Sequence, residues 1–149
     1  MKKLLLAALL ITAAFIMISY ATPSSLTENE TAEAAVDYFK ISGADARALI
    51  NTGKVIILDV RTVEEFKETR IAGAILIPDY EIRELAELML HDKEAIILVY
   101  CRSGRRSEIA SRALIEMGYQ NVYDFGGIID WEYETVSGPD FNSFRCFAF

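Results

Sequence analysis

The chain has 149 residues, of which 52% are hydrophobic and 25% charged, and a formal net charge of −7. That length leaves room for one domain with a real core and little more, and the acidic balance argues against nucleic acid or anionic membrane surfaces as partners. Only two cysteines and one histidine occur; without a CxxC pair or a Cys/His cluster, no metal site is expected.

Met1-Lys-Lys precedes an apolar run over residues 4–18, broken only by Thr12, and Ser19-Tyr20-Ala21 then offers small residues where an export peptidase reads. This is the layout of a cleaved secretory signal over residues 1–21. The alternative is an uncleaved membrane anchor, since the run is close to the shortest that spans a bilayer. The expected location is therefore periplasmic or otherwise extracytoplasmic, with membrane contact only if the leader is retained. Residues 22–37 are polar and acidic and read as a tether or lead-in helix.

A domain over residues 38–137 follows. Residues 38–41 read as a short first strand, and Ser42-Gly-Ala-Asp45 caps a helix that closes near residues 51–53. Residues 55–58 form a buried strand that delivers Asp59-Val-Arg61 at its carboxyl end. Thr62-Val-Glu-Glu65 repeats the capping signature and opens a short helix through Phe66 and Lys67. Residues 75–77 are a strand stopped by Pro78. Residues 81–90 are helical, with Ile82, Leu85, Ala86 and Met89 facing inward.

The apolar run Ile96-Ile-Leu-Val-Tyr100 is the central buried strand. After Cys101-Arg-Ser-Gly-Arg-Arg106 comes a helix with Ile109, Ala110, Ala113, Leu114 and Met117 on one face, ended by Gly118. Residues 121–125 are a fifth strand, and Gly126-Gly127 turns into a final short helix holding Trp131 and Tyr133. From Gly138-Pro139 onward, residues 138–149 are an aromatic tail with the second cysteine, Cys146. Strands alternating with helices imply an α/β fold with a mostly parallel sheet covered on both faces. Ligands in such sheets bind outside the carboxyl ends of the strands, where Cys101, Asp59 and Arg61 all fall.

The loop after the central strand places one sulfur where the amides of the next helix point toward it. A helix N-terminus favours negative charge, and Arg102, Arg105 and Arg106 add to the same field. The Cys101 thiol is therefore expected to be acidified and nucleophilic, in a cradle suited to sulfonate, sulfate or phosphate. A basic island on an acidic body favours a small anionic substrate. Against this stand plainer readings: an inert core cysteine, and arginines that are solvated surface charges. Asp59 and Arg61 either border the site or are structural, Arg61 pairing with Glu65 or Asp59. Gly104 supplies backbone freedom. Cys146 either joins Cys101 in an oxidising compartment or stays unpaired in the tail.

Several spaced segments occur in one order: Leu58-Asp-Val-Arg61, Glu65-Phe66, Ile71-Ala-Gly-Ala74, Ile77-Pro78 and Val99-Tyr-Cys-Arg-Ser-Gly-Arg-Arg-Ser107. Met117-Gly-Tyr119, Asn121-Val122 and Gly126-Gly-Ile128 with Trp131 complete the set. Over about residues 38–136 the chain resembles a single-domain rhodanese, a sulfurtransferase module. It departs from that family at Arg70, usually a histidine, and at Val63, where proline is common.

The resemblance implies a three-layer sandwich with a five-stranded, mostly parallel sheet flanked by helices. It also implies two half-reactions: Cys101 takes the outer sulfur of thiosulfate, sulfite leaves, and cyanide or a thiol removes sulfur from the resulting persulfide. Backbone N–H groups from Arg102 through Ser103 and Gly104 to Arg106 would stabilise the anionic sulfur. Arg102 and Arg105 would grip the sulfonate end, and Arg106 would either bind substrate or brace the loop. The implied partners are a small anionic sulfur donor, a thiol or cyanide acceptor, and a redox or sulfur-carrier protein. No cofactor beyond the covalent persulfide is implied.

Three other functions compete. One is a sulfur-carrier or interaction module without rapid turnover. Another is a phosphatase, but the related phosphate-holding loop needs arginine six positions after its cysteine, and here that position is Ser107. A thiol–disulfide oxidoreductase is weaker, for want of a second cysteine nearby in sequence.

Overall fold

The branched, apolar runs pair into one sheet, and every pair in it is parallel. The computed structural model describes residues 38–138. The expected leader and lead-in, and the tail from residue 139 with Cys146, lie outside the described residues. The strands are β1 (Phe39–Lys40), β2 (Val55–Asp59), β3 (Ile75–Leu76), β4 (Ile96–Cys101) and β5 (Asn121–Gly127). Their order across the sheet is β1-β5-β4-β2-β3. Parallel neighbours need crossover connections, and the helices α1 (Gly43–Asn51), α2 (Val63–Glu68), α3 (Ile82–Met89) and α4 (Arg105–Glu116) supply them. The expected α/β architecture is the one observed.

Central strand β4 is buried from Ile97 to Cys101, and its side chains alternate between two apolar layers. Ile97, Val99 and Cys101 join Ile82 and Ala86 of α3 and Ala110 and Leu114 of α4. Leu98 and Tyr100 join Ala46 of α1, Phe66 of α2, Phe125 and Trp131. Burying each large branched side chain is worth about 1.5–3 kcal/mol, and a one-residue slip would carry every one of them to the wrong face. Burial thereby fixes the register of β4 and assigns the sulfur to the layer of α3 and α4.

Both capping signatures form. The Ser42 hydroxyl accepts the Asp45 N–H at 3.1 Å. At the start of α2 the box is complete: Thr62 Oγ1 accepts from Glu65 N at 3.3 Å and Glu65 Oε2 accepts from Thr62 N at 3.0 Å.

Two local expectations are corrected. Ile109 is 50% exposed; the buried face of α4 is Ser107, Ala110, Ser111, Ala113, Leu114 and Ile115. The phase of the helix is set at its first turn, where Ser107 docks by hydrogen bonds to Gly104 O and Gly126 O, and that phase turns Ile109 outward. The expected last helix is a single 3-10 turn, Ile128–Asp130, with Trp131 and Tyr133 beyond it. Trp131 is drawn into the aromatic layer, 5.5 Å from Phe125 and 4.9 Å from Tyr133 between ring centres. Burying an indole outweighs one more helical turn.

Arg70, where the related family usually has histidine, is buried and works as a clamp. Its guanidinium donates to Phe66 O at 3.2 Å and Gly138 O at 2.7 Å, and its backbone exchanges two 2.8 Å bonds with Val136. Asp59 and Arg61 form a buried pair: Arg61 Nη2 lies 2.6 Å from Asp59 Oδ2 and also donates to Thr69 O at 2.6 Å. Arg61 therefore pairs with Asp59 and not with Glu65. The strand period turns this pair toward Tyr100, whose ring centre is 5.5 Å from the guanidinium. Of the two readings open to Asp59 and Arg61, the geometry is that of the structural one, in the layer opposite Cys101.

Asp59→Ala leaves a buried guanidinium without its carboxylate, which costs about 3–5 kcal/mol. The urea midpoint of the variant is expected to fall accordingly, with an unchanged slope.

Candidate active site

β4 ends at Cys101, and the chain must reverse into α4 within three residues. Gly104 makes that turn with φ at 98°, a conformation that strains any residue carrying a Cβ. The helix starts at Arg105, so Arg105 and Arg106 belong to its first turn and not to a loop. Gly104 is the N-cap and provides no side-chain cap. The orphan amides of the helix start meet the sulfur instead: Gly104 N–H donates to Cys101 Sγ at 3.1 Å.

Only 1% of Cys101 is exposed. Burial pushes its thiol up, but the amides of Ser107, Ser103 and Gly104 outweigh that and hold it below its ordinary value. The main lowering influences are hydrogen bonds to the sulfur and not the arginine charges. Stabilising a thiolate is the same electrostatic task as stabilising a persulfide anion.

Ser107 is a site residue that sequence reasoning missed. Its hydroxyl donates to Gly104 O at 2.9 Å and approaches Gly126 O at 3.3 Å, tying the loop to the end of β5. Its signal was its place six residues after Cys101, which reads in the sequence only as loop length.

The three arginines divide. Arg106 forms a two-pronged pair with Glu65, Nη1 to Oε2 and Nη2 to Oε1 both at 2.8 Å. Of the two roles open to it, the geometry is that of the brace. Hydrogen bonding to Arg106, reinforced by the Thr62 N–H, holds the Glu65 carboxyl at about 2. Glu65 was the second omission: its capping role is legible locally, but nothing in the sequence joins residues 65 and 106. Arg102, Ser103 and Arg105 are exposed.

The wall behind the loop is the end of β5. A Cβ on Gly127 would clash with Arg102 O and sit 2.6 Å from Ser103 Cα, so only glycine lets the two segments touch. Among the described residues no group of three or more His, Cys, Asp or Glu side chains converges to hold a metal ion. The assembled parts are a buried sulfur with a lowered thiol, the amides of Ser103, Gly104 and Ser107 around it, and two exposed arginines in the adjoining turn.

Glu65→Gln tests the brace through acid stability. The folded-state carboxyl lies below its unfolded value of 4.5, at about 2, so its contribution is full above the unfolded value and fades as pH falls toward the folded one. The variant should lose roughly 1 kcal/mol at neutral pH, as befits a partly exposed pair. Between about pH 4.5 and 2, wild-type stability should converge on that of the variant in urea titrations.

The description "Rhodanese-like domain" matches residues 42–134 of this chain. The thiosulfate sulfurtransferase PspE of Escherichia coli is 38% identical over 81 residues, covering 54% of this chain and 78% of that protein. The thiosulfate sulfurtransferase GlpE of Coxiella burnetii is 33% identical over 96 residues, 64% of this chain and 88% of that protein. Among solved structures, a rhodanese from E. coli with anions superposes with a TM-score of 0.53 at 37% identity, covering 56% of this chain and 98% of its own. The match spans β2, the Cys101 loop, α4 and the glycine pair, so the chain belongs to the rhodanese family.

Proposed function

We propose that this chain is a thiosulfate-type sulfurtransferase that carries sulfur as a persulfide on Cys101. The observation that carries this reading is the sulfur seated at the N-terminus of α4, with the Gly104 N–H on Sγ at 3.1 Å. The relatives named thiosulfate sulfurtransferase, PspE and GlpE, support it.

In the first half-reaction the Cys101 thiolate attacks the outer sulfur of thiosulfate. The bond between the two donor sulfurs breaks, its electron pair leaves with sulfite, and a persulfide anion remains on Cys101. Arg102 and Arg105 hold the sulfonate at the rim by charge-assisted hydrogen bonds, while the amides of Ser103, Gly104 and Ser107 receive the negative sulfur. In the second half-reaction cyanide or an acceptor thiolate attacks the terminal sulfur, and Cys101 leaves as the thiolate that began the cycle. Sulfur alone is carried, so the scheme uses no metal or organic cofactor.

A phosphatase reading has less support. The arginine at 106 is engaged with Glu65, and the sixth residue after Cys101 is Ser107, whose hydroxyl is bonded to the loop. Export behind the leader of residues 1–21 is part of the proposal, as is a sulfur-donating small anion outside the cytoplasm.

Two measurements test the scheme. Intact mass after thiosulfate should show one added sulfur on wild type, reversed by cyanide, and none on Cys101→Ser; no gain on folded, reduced wild type moves the reading to an interaction module. The same spectra show whether the leader has been removed. Arg102→Ala or Arg105→Ala should raise KM for thiosulfate by about tenfold, the worth of one charge-assisted contact, with a smaller change in kcat.

A further inference from the structure

The sulfur-binding loop has to be built against something, and that surface is an irregularity in β5. Asp124 is in register with Val99, but Gly127 is in register with Cys101. Three steps on β5 therefore match two on β4: a β-bulge, of the kind that re-aims a chain next to active sites. Gly126 and Gly127 of this segment lie directly against the loop. Ser107 Oγ lies 3.3 Å from Gly126 O, a Cβ on Gly104 would lie 3.6 Å from Gly126 Cα, and Gly127 lies against Ser103. Just beyond, Ile129 N–H donates to Arg102 O at 3.3 Å.

One side chain closes the bulge. Asp124 Oδ1 accepts the Gly126 N–H at 2.9 Å, spanning the extra residue while Gly126 sits at φ 89°. Asp124 is fully buried, at 0% exposure, and the strand period turns it with Val122 toward the layer under α4. Its second oxygen, Oδ2, is buried without a hydrogen-bond partner, as is Ser111 Oγ of α4. A buried carboxylate with half its acceptors unmet is costly. An apolar residue such as its neighbours in that layer would suit packing better.

We propose that Asp124 is a positioning residue for the reaction: through the Gly126 amide it holds the bulge that seats Ser107 and Gly104 against the Cys101 sulfur. It never touches substrate. Its hydrogen bond locks the Gly126 carbonyl where the Ser107 hydroxyl can reach it; that contact seats the first turn of α4, and with it the Ser107 amide, which lowers the thiol. The cost of burying the carboxylate is borne by the fold and returned as loop geometry. This inference rests on Cys101 being the nucleophile, but not on which sulfur compound it uses.

Two isosteric variants separate the hydrogen bond from the charge. Asp124→Asn removes the charge and keeps an oxygen that accepts from Gly126; Asp124→Leu removes both and fills the same space. The readout is the pH profile of Cys101 alkylation by iodoacetamide, with circular dichroism and thermal melting as fold controls. The midpoint for Asp124→Leu should lie about one pH unit above that for Asp124→Asn, equivalent to a several-fold slower alkylation near neutral pH. Rescue by asparagine is the signature that a merely structural carboxylate would not produce, and Asp124→Leu should also lose kcat more than KM. Coincident profiles for two folded variants overturn the proposal. If Asp124→Leu does not fold, Asp124→Ala replaces it with the same two outcomes. Because alkylation needs no sulfur donor, failure of the thiosulfate reading would leave this test intact and distinguishable.

Discussion

A sulfur held out of water can carry negative charge only where the protein solvates it, and here the N-terminus of α4 supplies the amides that do so. Gly104 caps the helix without a side chain, so the first amides remain available and Cys101 Sγ takes the place of a capping oxygen. Most of the neighbouring structure follows from this one contact. The chain must turn left-handed at 104, the first helical turn must dock through Ser107, and that docking sets the rotation of the whole helix. Ser107 and Ser111 then occupy inward positions that composition alone would give to branched residues, and Ile109 is left facing solvent.

The loop is held from two sides by different physics. On one side Arg106 and Glu65 form a two-pronged ion pair between α4 and α2, with Thr62 orienting the same carboxylate. On the other side the contact is backbone against backbone, at a distance only Gly127 permits. Beneath both, two apolar layers fix the strand register, and with it the height of Cys101 above the core. Side-chain forks tolerate small shifts, whereas a backbone contact does not, so the β5 side sets the position and the α2 side secures it.

Charge is used locally and globally in opposite senses. The whole chain is acidic, at −7, yet the rim around the sulfur presents Arg102 and Arg105. Screening at physiological ionic strength limits exposed charges to about 8 Å, so distant carboxylates do little to offset the local positive charge of these two arginines. A long anionic polymer would meet both the rim and the acidic body. The third arginine serves the scaffold, and Asp59 with Arg61, a buried ionic pair, serves the opposite layer.

Much of the fold is legible in the residues because it rests on short-range rules. Branched runs at 55–58 and 96–100, capping residues at Ser42 and Thr62, and glycine after α4 each act over a few positions, and each element forms there. Cys101 at a strand end before a helix is legible for the same reason, since strand, turn and helix follow one another in the chain. What the sequence could not reveal depends on contacts between segments far apart in it. Arg106 meets Glu65 across 41 positions, and Ser107 meets Gly126 across 19. Arg61 could reach either of two carboxylates until the strand period turned it toward Asp59. Trp131 leaves the expected helix because the aromatic layer that buries it is assembled only in three dimensions. The chain by itself determined which atom is the candidate nucleophile and which elements flank it, since propensity and capping act locally. Tertiary structure alone decided how the three arginines divide and what braces the loop, because packing and ion pairing choose partners by distance in space.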